Sequence, residues 1–245
     1  MQDCLRTRGF LPVADPDTRL TLGERFEWLD QLGHDLPSLL LEPDCRTYLQ
    51  HQPIPDWPHP NIPPALLPQA RLFYLRLGFL ASGYINQVGQ PTTHVLPANI
   101  ARPLCQIAQL LDRPPMLSYD GYALYNWKRF DSEKPVQLGN IDTLQNFVHL
   151  YDEHWFILVH VEIEALAARI YGAIEDLKVG DKFTDGDAVD NCLLQMGGAL
   201  DKILAVLRRI PERMSDELYF SHFRPYIGQF KNVTYESIGP VVSFR

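Results

Sequence analysis

Chemistry in this chain concentrates in three short segments rich in aromatic side chains. Tyr219-Phe-Ser-His-Phe-Arg224 sets a guanidinium among aromatic rings, an unusual setting for a charge held only by water. A planar guanidinium can grip a carboxylate through two parallel charge-assisted hydrogen bonds. The same residue also suits a buried ion pair or a helix C-terminal charge. His160 lies in the apolar run from Trp155 to Ala173, which also carries Glu162 and Glu164. An imidazole, with an ordinary pKa of about 6.5, accepts a hydrogen bond or carries a proton near neutral pH. A lone histidine on an apolar helix is equally compatible with a satisfied core residue. Tyr119, Tyr122 and Ala123 are offset by three and four positions, which on a helix puts them on one face. With Phe156-Ile157 and Tyr219-Phe220 they could line the mostly apolar, concave site that a small planar substrate needs. Filling a helical core is the plainer use of the same side chains.

Other reactive groups lack a supporting pattern. His222 is two residues from Arg224, so helical geometry turns it to another side. His154 falls in the polar helix start Asp152-Glu-His154, and His34, His51, His59, His94 and His149 show no metal-ligand spacing. There is no GxSxG, Walker-type loop or GxGxxG, and Gly197-Gly198 reads as a close-packing contact inside a helix. Cys4, Cys45, Cys105 and Cys192 are far apart without a CxxC, which makes neither a disulfide framework nor a zinc site. A reduced, cytoplasmic protein is the simplest reading.

The elements that must position these residues are predominantly helical, and the fold expected is all-α. The 245 residues are 46% hydrophobic and 21% charged, enough for one large core or two modest domains. The net charge of −8 with no basic run disfavours a nucleic-acid partner. No uninterrupted apolar window of roughly 18 residues suggests a membrane span, and no basic-then-apolar start suggests a signal peptide. Residues 1–20 read as irregular, and Thr21-Leu-Gly-Glu24 as a capping box for a helix through Phe26, Leu29 and Leu32. Seven prolines between His51 and Pro68 predict an extended surface connection. Ala70 to Gln87 is apolar on nearly all sides, so it should be a buried central helix. Further helices are predicted over Asn99–Leu111 with Asn99 as cap, Tyr119–Trp127, from Asn140 through Leu144, Phe147 and Leu150, and over Trp155–Ala173. After a turn at Val179–Asp187, Asp190–Ile210 reads as amphipathic, with Leu193, Leu194, Leu200, Ile203, Leu204 and Leu207 as its core face. One more helix is predicted from Ser215 towards Pro225, and the tail, with Val233, Tyr235, Val241, Val242 and Phe244, reads as irregular or strand-like.

Five motifs occur in one order: Leu96-Pro…Asn99-Ile-Ala…Pro103; Pro114-Pro…Tyr119; Asn126-Trp-Lys128; Phe156-Ile-Leu-Val-His-Val-Glu-Ile-Glu-Ala165; and Tyr219-Phe-Ser-His-Phe-Arg224 with Tyr226-Ile-Gly228. Together they make the chain resemble, over almost its whole length, the indoleamine 2,3-dioxygenase family in a bacterial-like form. These are haem enzymes that open the indole ring of tryptophan with O2. The resemblance implies haem b as cofactor, with L-tryptophan or a close indole derivative and O2 as partners. It also implies an N-formylkynurenine-type product. It assigns Tyr119, Tyr122, Ala123, Phe156, Ile157, Tyr219 and Phe220 to the substrate pocket and Arg224 to the substrate carboxylate. At His160 the family's best-known members carry serine. A histidine there is similar instead to the tryptophan 2,3-dioxygenases, which implies a catalytic imidazole beside the indole N–H.

Two alternatives stay open: oxidation of a modified tryptophan without ring cleavage, or no catalysis at all in a helical relative. The resemblance further implies a small N-terminal domain over 1–147 and the first part of a large helical haem domain over 148–245. The proximal histidine that ligates the iron is expected beyond Arg245, so no metal ligand is assigned within the chain.

Overall fold

A computed structural model describes residues 2–179 and 182–240. Its centre is α4, Leu67–Ile85, a helix in which only Leu67, Pro68 and Arg71 escape burial. The all-round apolar surface forces this position, because no orientation leaves a polar side for water. Helices α2, Glu24–Leu39, α3, Cys45–Gln50, and α5, Ala98–Leu111, pack around it. The main core takes Leu11 and Leu29 from one end of the chain and Ile157, Val161, Phe230 and Tyr235 from the other. Helix α6, Tyr151–Lys178, runs on past this core and carries α1, Gln2–Arg8, and α7, Gly186–Leu207, on its sides. Gly9, at φ 63°, passes so close to α6 that a Cβ would fall 2.4 Å from the Glu164 carbonyl oxygen. Only glycine fits there.

The molecule is mainly α, with short strands that tie distant segments. β1, Val95–Leu96, pairs in parallel with β4, Thr234–Tyr235, which pairs antiparallel with β5, Gly239–Pro240. β2, Lys128–Arg129, pairs antiparallel with β3, Ile141–Asp142. No helix among the described residues is long and apolar enough to cross a membrane. Val241, Val242 and Phe244 lie outside the described residues.

Several local expectations are corrected. The first residues are helical, and Arg6 of α1 pairs with Asp176 of α6. Helix α2 begins at Glu24 with no side-chain cap, while the Thr21 amide donates to Gln69 Oε1 at 2.8 Å. Pro97 caps α5, and Asn99 Nδ2 donates to the carbonyls of Leu49 and Gln52, both at 2.9 Å. The proline-rich connection is not purely superficial. Trp57 is buried against Phe26 and Phe73, and Gln106 satisfies both its amide and its carbonyl.

The helix expected after Asn140 is absent, because side chains remote in sequence take the backbone groups a helix would use. Asn126 Oδ1 accepts from the amides of Leu144 and Gln145, and Glu153 Oε2 from those of Phe147 and Val148. Helix α7 starts four residues early and faces the other way. Its buried residues are Cys192, Ala199 and Val206, seven apart, which let it approach α6 closely. Leu193, Leu194, Leu200, Leu204 and Leu207 are exposed.

Candidate functional site

Two π-helical turns sit in the segments that carry the candidate residues. Asp120–Leu124 follows Tyr119 and holds Tyr122 and Ala123. Tyr219–Phe223 continues the three-residue helix α8, Asp216–Leu218, and holds Tyr219 and Phe220. Each closes through a bond five residues long: the Tyr125 amide to the Asp120 carbonyl at 2.9 Å, and the Arg224 amide to the Tyr219 carbonyl at 2.9 Å. Such turns are rare and recur at functional sites. The first is fixed locally. Tyr74 of α4 donates its hydroxyl towards the carbonyls of Pro114 and Met116 and meets Ser118 Oγ at 2.9 Å. Ser118 bonds Asp120, whose other oxygen accepts from Arg113 Nε at 2.6 Å.

Against the first turn lies α6, and between them is a cavity of about 240 Å³. Its walls are Leu117, Ser118 and Tyr119, then Tyr122 and Ala123, then Phe156, Ile157 and His160 of α6, with Ile227 closing one side. Six of the candidate residues thus share one space. Tyr219 packs tilted against Phe156 at 5.4 Å and Phe220 is 68% exposed, so this pair adjoins the cavity without lining it. Tyr119 is 46% exposed at the mouth.

His160 is the one imidazole in this space. Its Nδ1 lies 2.7 Å from the Phe156 carbonyl. A carbonyl only accepts, so Nδ1 carries a hydrogen, and in the neutral ring Nε2 is left as an acceptor. The ring rests 4.5 Å from Phe156 and 6.1 Å from Tyr119. The Tyr119 hydroxyl donates to Glu164 Oε1 at 3.1 Å; desolvation and that carboxylate both raise its pKa.

Behind Tyr122 is a residue the sequence reading left aside. Glu153 is wholly buried, and Tyr122 donates its hydroxyl to Oε1 at 3.4 Å. Burial pushes Glu153 up to about 8 against the two backbone amides that favour its charged form. Burial, followed by the Glu153 charge, raises Tyr122 well above the ordinary phenol range. The available signal was helical spacing: Glu153, Phe156, Ile157 and His160 fall at i, i+3, i+4 and i+7. Leu117, Ser118 and Ile227 were also missed as lining residues, although all stand next to motif residues.

Arg224 lies on the surface and faces a second cavity of about 530 Å³, with Asn86, His94 and Lys231 among its walls. Its Nη1 donates to the Ile227 carbonyl at a long 3.5 Å, and its charge acts on the Tyr122 hydroxyl. Among the described residues it has no ion pair. His154 is held by Asp142 Oδ1 at 3.2 Å and Thr143 Oγ1 at 2.9 Å, and His222 by Ser221 Oγ at 2.7 Å. Among the described residues no group of three or more His, Cys, Asp or Glu side chains is placed to hold a metal ion.

The family model described as indoleamine 2,3-dioxygenase matches residues 3–244. An indoleamine 2,3-dioxygenase of Saccharomyces cerevisiae is 29% identical over 93% of this chain and 51% of its own length. One from Penicillium citrinum is 30% identical over 92% of this chain and 50% of its own length. A protein named myoglobin from Haliotis madaka is 25% identical over 91% of this chain and 55% of its own length. The chain spans about half the length of these curated relatives. With the match running through the first turn, α6 and the Arg224 segment alike, the chain belongs to the indoleamine 2,3-dioxygenase family.

Proposed function

We propose that this chain acts in the haem-dependent insertion of both atoms of O2 into the indole ring of L-tryptophan or a close indole derivative, giving an N-formylkynurenine-type product. The observation that carries the reading is one small apolar cavity with a single imidazole acceptor, in a chain of this family. Haem, when bound, supplies the iron that takes up O2. Exposed Tyr119 and Phe220 with half-buried Phe156 and Tyr219 are the aromatic surface that would meet one face of a flat macrocycle, and the family's axial histidine is assigned to none of the described residues.

The chain's own residues then divide the work. Tyr122, Ala123, Phe156 and Ile157 hold an indole flat and exclude water, which strengthens every polar contact inside. His160 Nε2 accepts the indole N–H and holds or moves that proton. Arg224, whose one hydrogen bond among the described residues is the long one to the Ile227 carbonyl, can turn onto the substrate carboxylate. Domain limits at 1–147 and 148–245 belong to the same proposal.

A second reading is favoured by the similarity to the Haliotis protein named myoglobin: a haem protein that binds O2 without turnover. One experiment separates them. The purified protein is titrated with haemin, reduced, given CO and then L-tryptophan, and the absorption spectrum and product mass are recorded. Haem uptake, a spectral shift with L-tryptophan and a product carrying two added oxygens are expected. Haem uptake with no product favours the second reading, and refusal of haemin by protein of the relatives' full length overturns both. In the active protein, Arg224→Ala should raise KM for L-tryptophan roughly 10- to 100-fold, the worth of a charged hydrogen bond. KM for an indole lacking the carboxylate should stay unchanged, and an equal rise for both removes the anchor role.

A further inference from the structure

A third cavity, of about 230 Å³, opens where the N-terminal loop meets the start of α4. It shares no residue with the two cavities described above. Pro12, Pro16, Pro64 and Pro68 build its walls, so its shape is preformed and little backbone entropy is lost on filling it. Its volume, close to that of the cavity beside α6, is below the roughly 300–1,000 Å³ of pockets for drug-sized ligands, so it takes a small occupant.

Arg71 is the cation of this cleft, and the one carboxylate that also lines it, Asp15, is paired elsewhere. Arg71 is half-buried, with its guanidinium carbon 4.1 Å from the centroid of the Tyr125 ring, a cation–π stack that fixes its plane. Among the described residues Arg71 has no ion pair or hydrogen bond. The carboxylates around it are already taken. Asp15 receives Arg8 at 2.8 Å and Arg129 at 2.7 Å, and those bonds outweigh burial to keep its pKa low. Asp120 receives Arg113 at 2.6 Å. A guanidinium in an apolar cleft, stripped of part of its water and offered no anion by the fold, is a receptor for an anion from outside.

We propose that this cleft binds a small carboxylate carrying a single flat apolar ring, with the carboxylate on Arg71 and the ring between the proline walls. The probe is 4-fluorobenzoate, observed by fluorine NMR on the full chain, with 4-fluorobenzamide as the neutral control. Saturable binding with Kd on the order of 1 mM is expected, and the amide should bind at least roughly tenfold more weakly. Arg71→Gln should weaken the benzoate about tenfold or more, while Arg224→Gln leaves it unchanged. Leu67→Glu is the second variant, in case loss of Arg71 disturbs the fold. Leu67 is 38% exposed, and a glutamate one turn before Arg71 supplies the missing carboxylate internally, so it should also displace the probe. No saturable binding at about 10 mM, equal affinity for the amide, unaltered binding in folded Arg71→Gln or Leu67→Glu, or loss in Arg224→Gln alone would each overturn the proposal.

Discussion

At Glu153 a carboxyl group is buried behind the Tyr122 wall of an apolar cavity, holding two loop amides with one oxygen and facing Tyr122 with the other. Burial raises its pKa from 4.5 to about 8 in the folded chain. Between those values the folded state binds a proton that the unfolded state has released. Stability from this group is therefore full below about pH 4.5 and is lost as pH rises through about 8. Glu153→Gln keeps an acceptor for the amides and removes the titration, so its thermal midpoint should fall less than wild type between those limits. An identical pH profile in both proteins would refute this account. Glu153→Ala leaves both amides unpaired and should cost about 1–3 kcal/mol by denaturant unfolding. The three-and-four offsets of Tyr119, Tyr122 and Ala123, and the run Phe156-Ile157 to His160, made the cavity wall readable. Glu153 was hidden because an acid at a helix start is ordinarily a solvated residue.

Helix α4 holds the other buried charge, Arg76, which is wholly inaccessible and pairs with Asp30 of α2 at 2.8 Å. Its Nη1 also donates to the Leu144 carbonyl and to Gln145 Oε1. Gly33 leaves the room for this: a Cβ there would fall 2.8 Å from Arg76 Cδ. Asp30→Ala strands a buried guanidinium and should destabilise by about 3–5 kcal/mol, measured in denaturant. A change below about 1 kcal/mol would mean the pair behaves as a surface one. Long helices such as α4 and α6 were legible because their apolar runs admit few other structures. The stretch from Ile141 to Leu150 was not, because Asn126 and Glu153 reach it from outside any local window. Period alone also misjudged α7, since leucines announce a core face more loudly than the Cys192, Ala199 and Val206 that fit against α6.

Seen whole, the molecule presents the leucines of α7 to water, between 42% and 76% exposed. Changing both Leu193 and Leu194 to Lys should alter unfolding free energy by only about 0.5 kcal/mol and hasten elution from a hydrophobic resin. A loss above about 2 kcal/mol would show that this face is covered in solution. The last described strands have a different bearing. β4 pairs Thr234 with Val95, Tyr226 accepts from Ser82, Tyr235 bonds the Pro115 carbonyl and Glu236 the Ala98 amide. Residues 226–236 therefore fasten onto parts of the chain made more than a hundred positions earlier, which are slow contacts to close. As the chain emerges from the ribosome, the walls from Tyr119 to His160 exist well before Ile227 and Arg224 can reach them. The main core, which takes Tyr226, Phe230, Val233 and Tyr235, and the cavity, which Ile227 closes, are thus completed together, once residues 226–236 have been made.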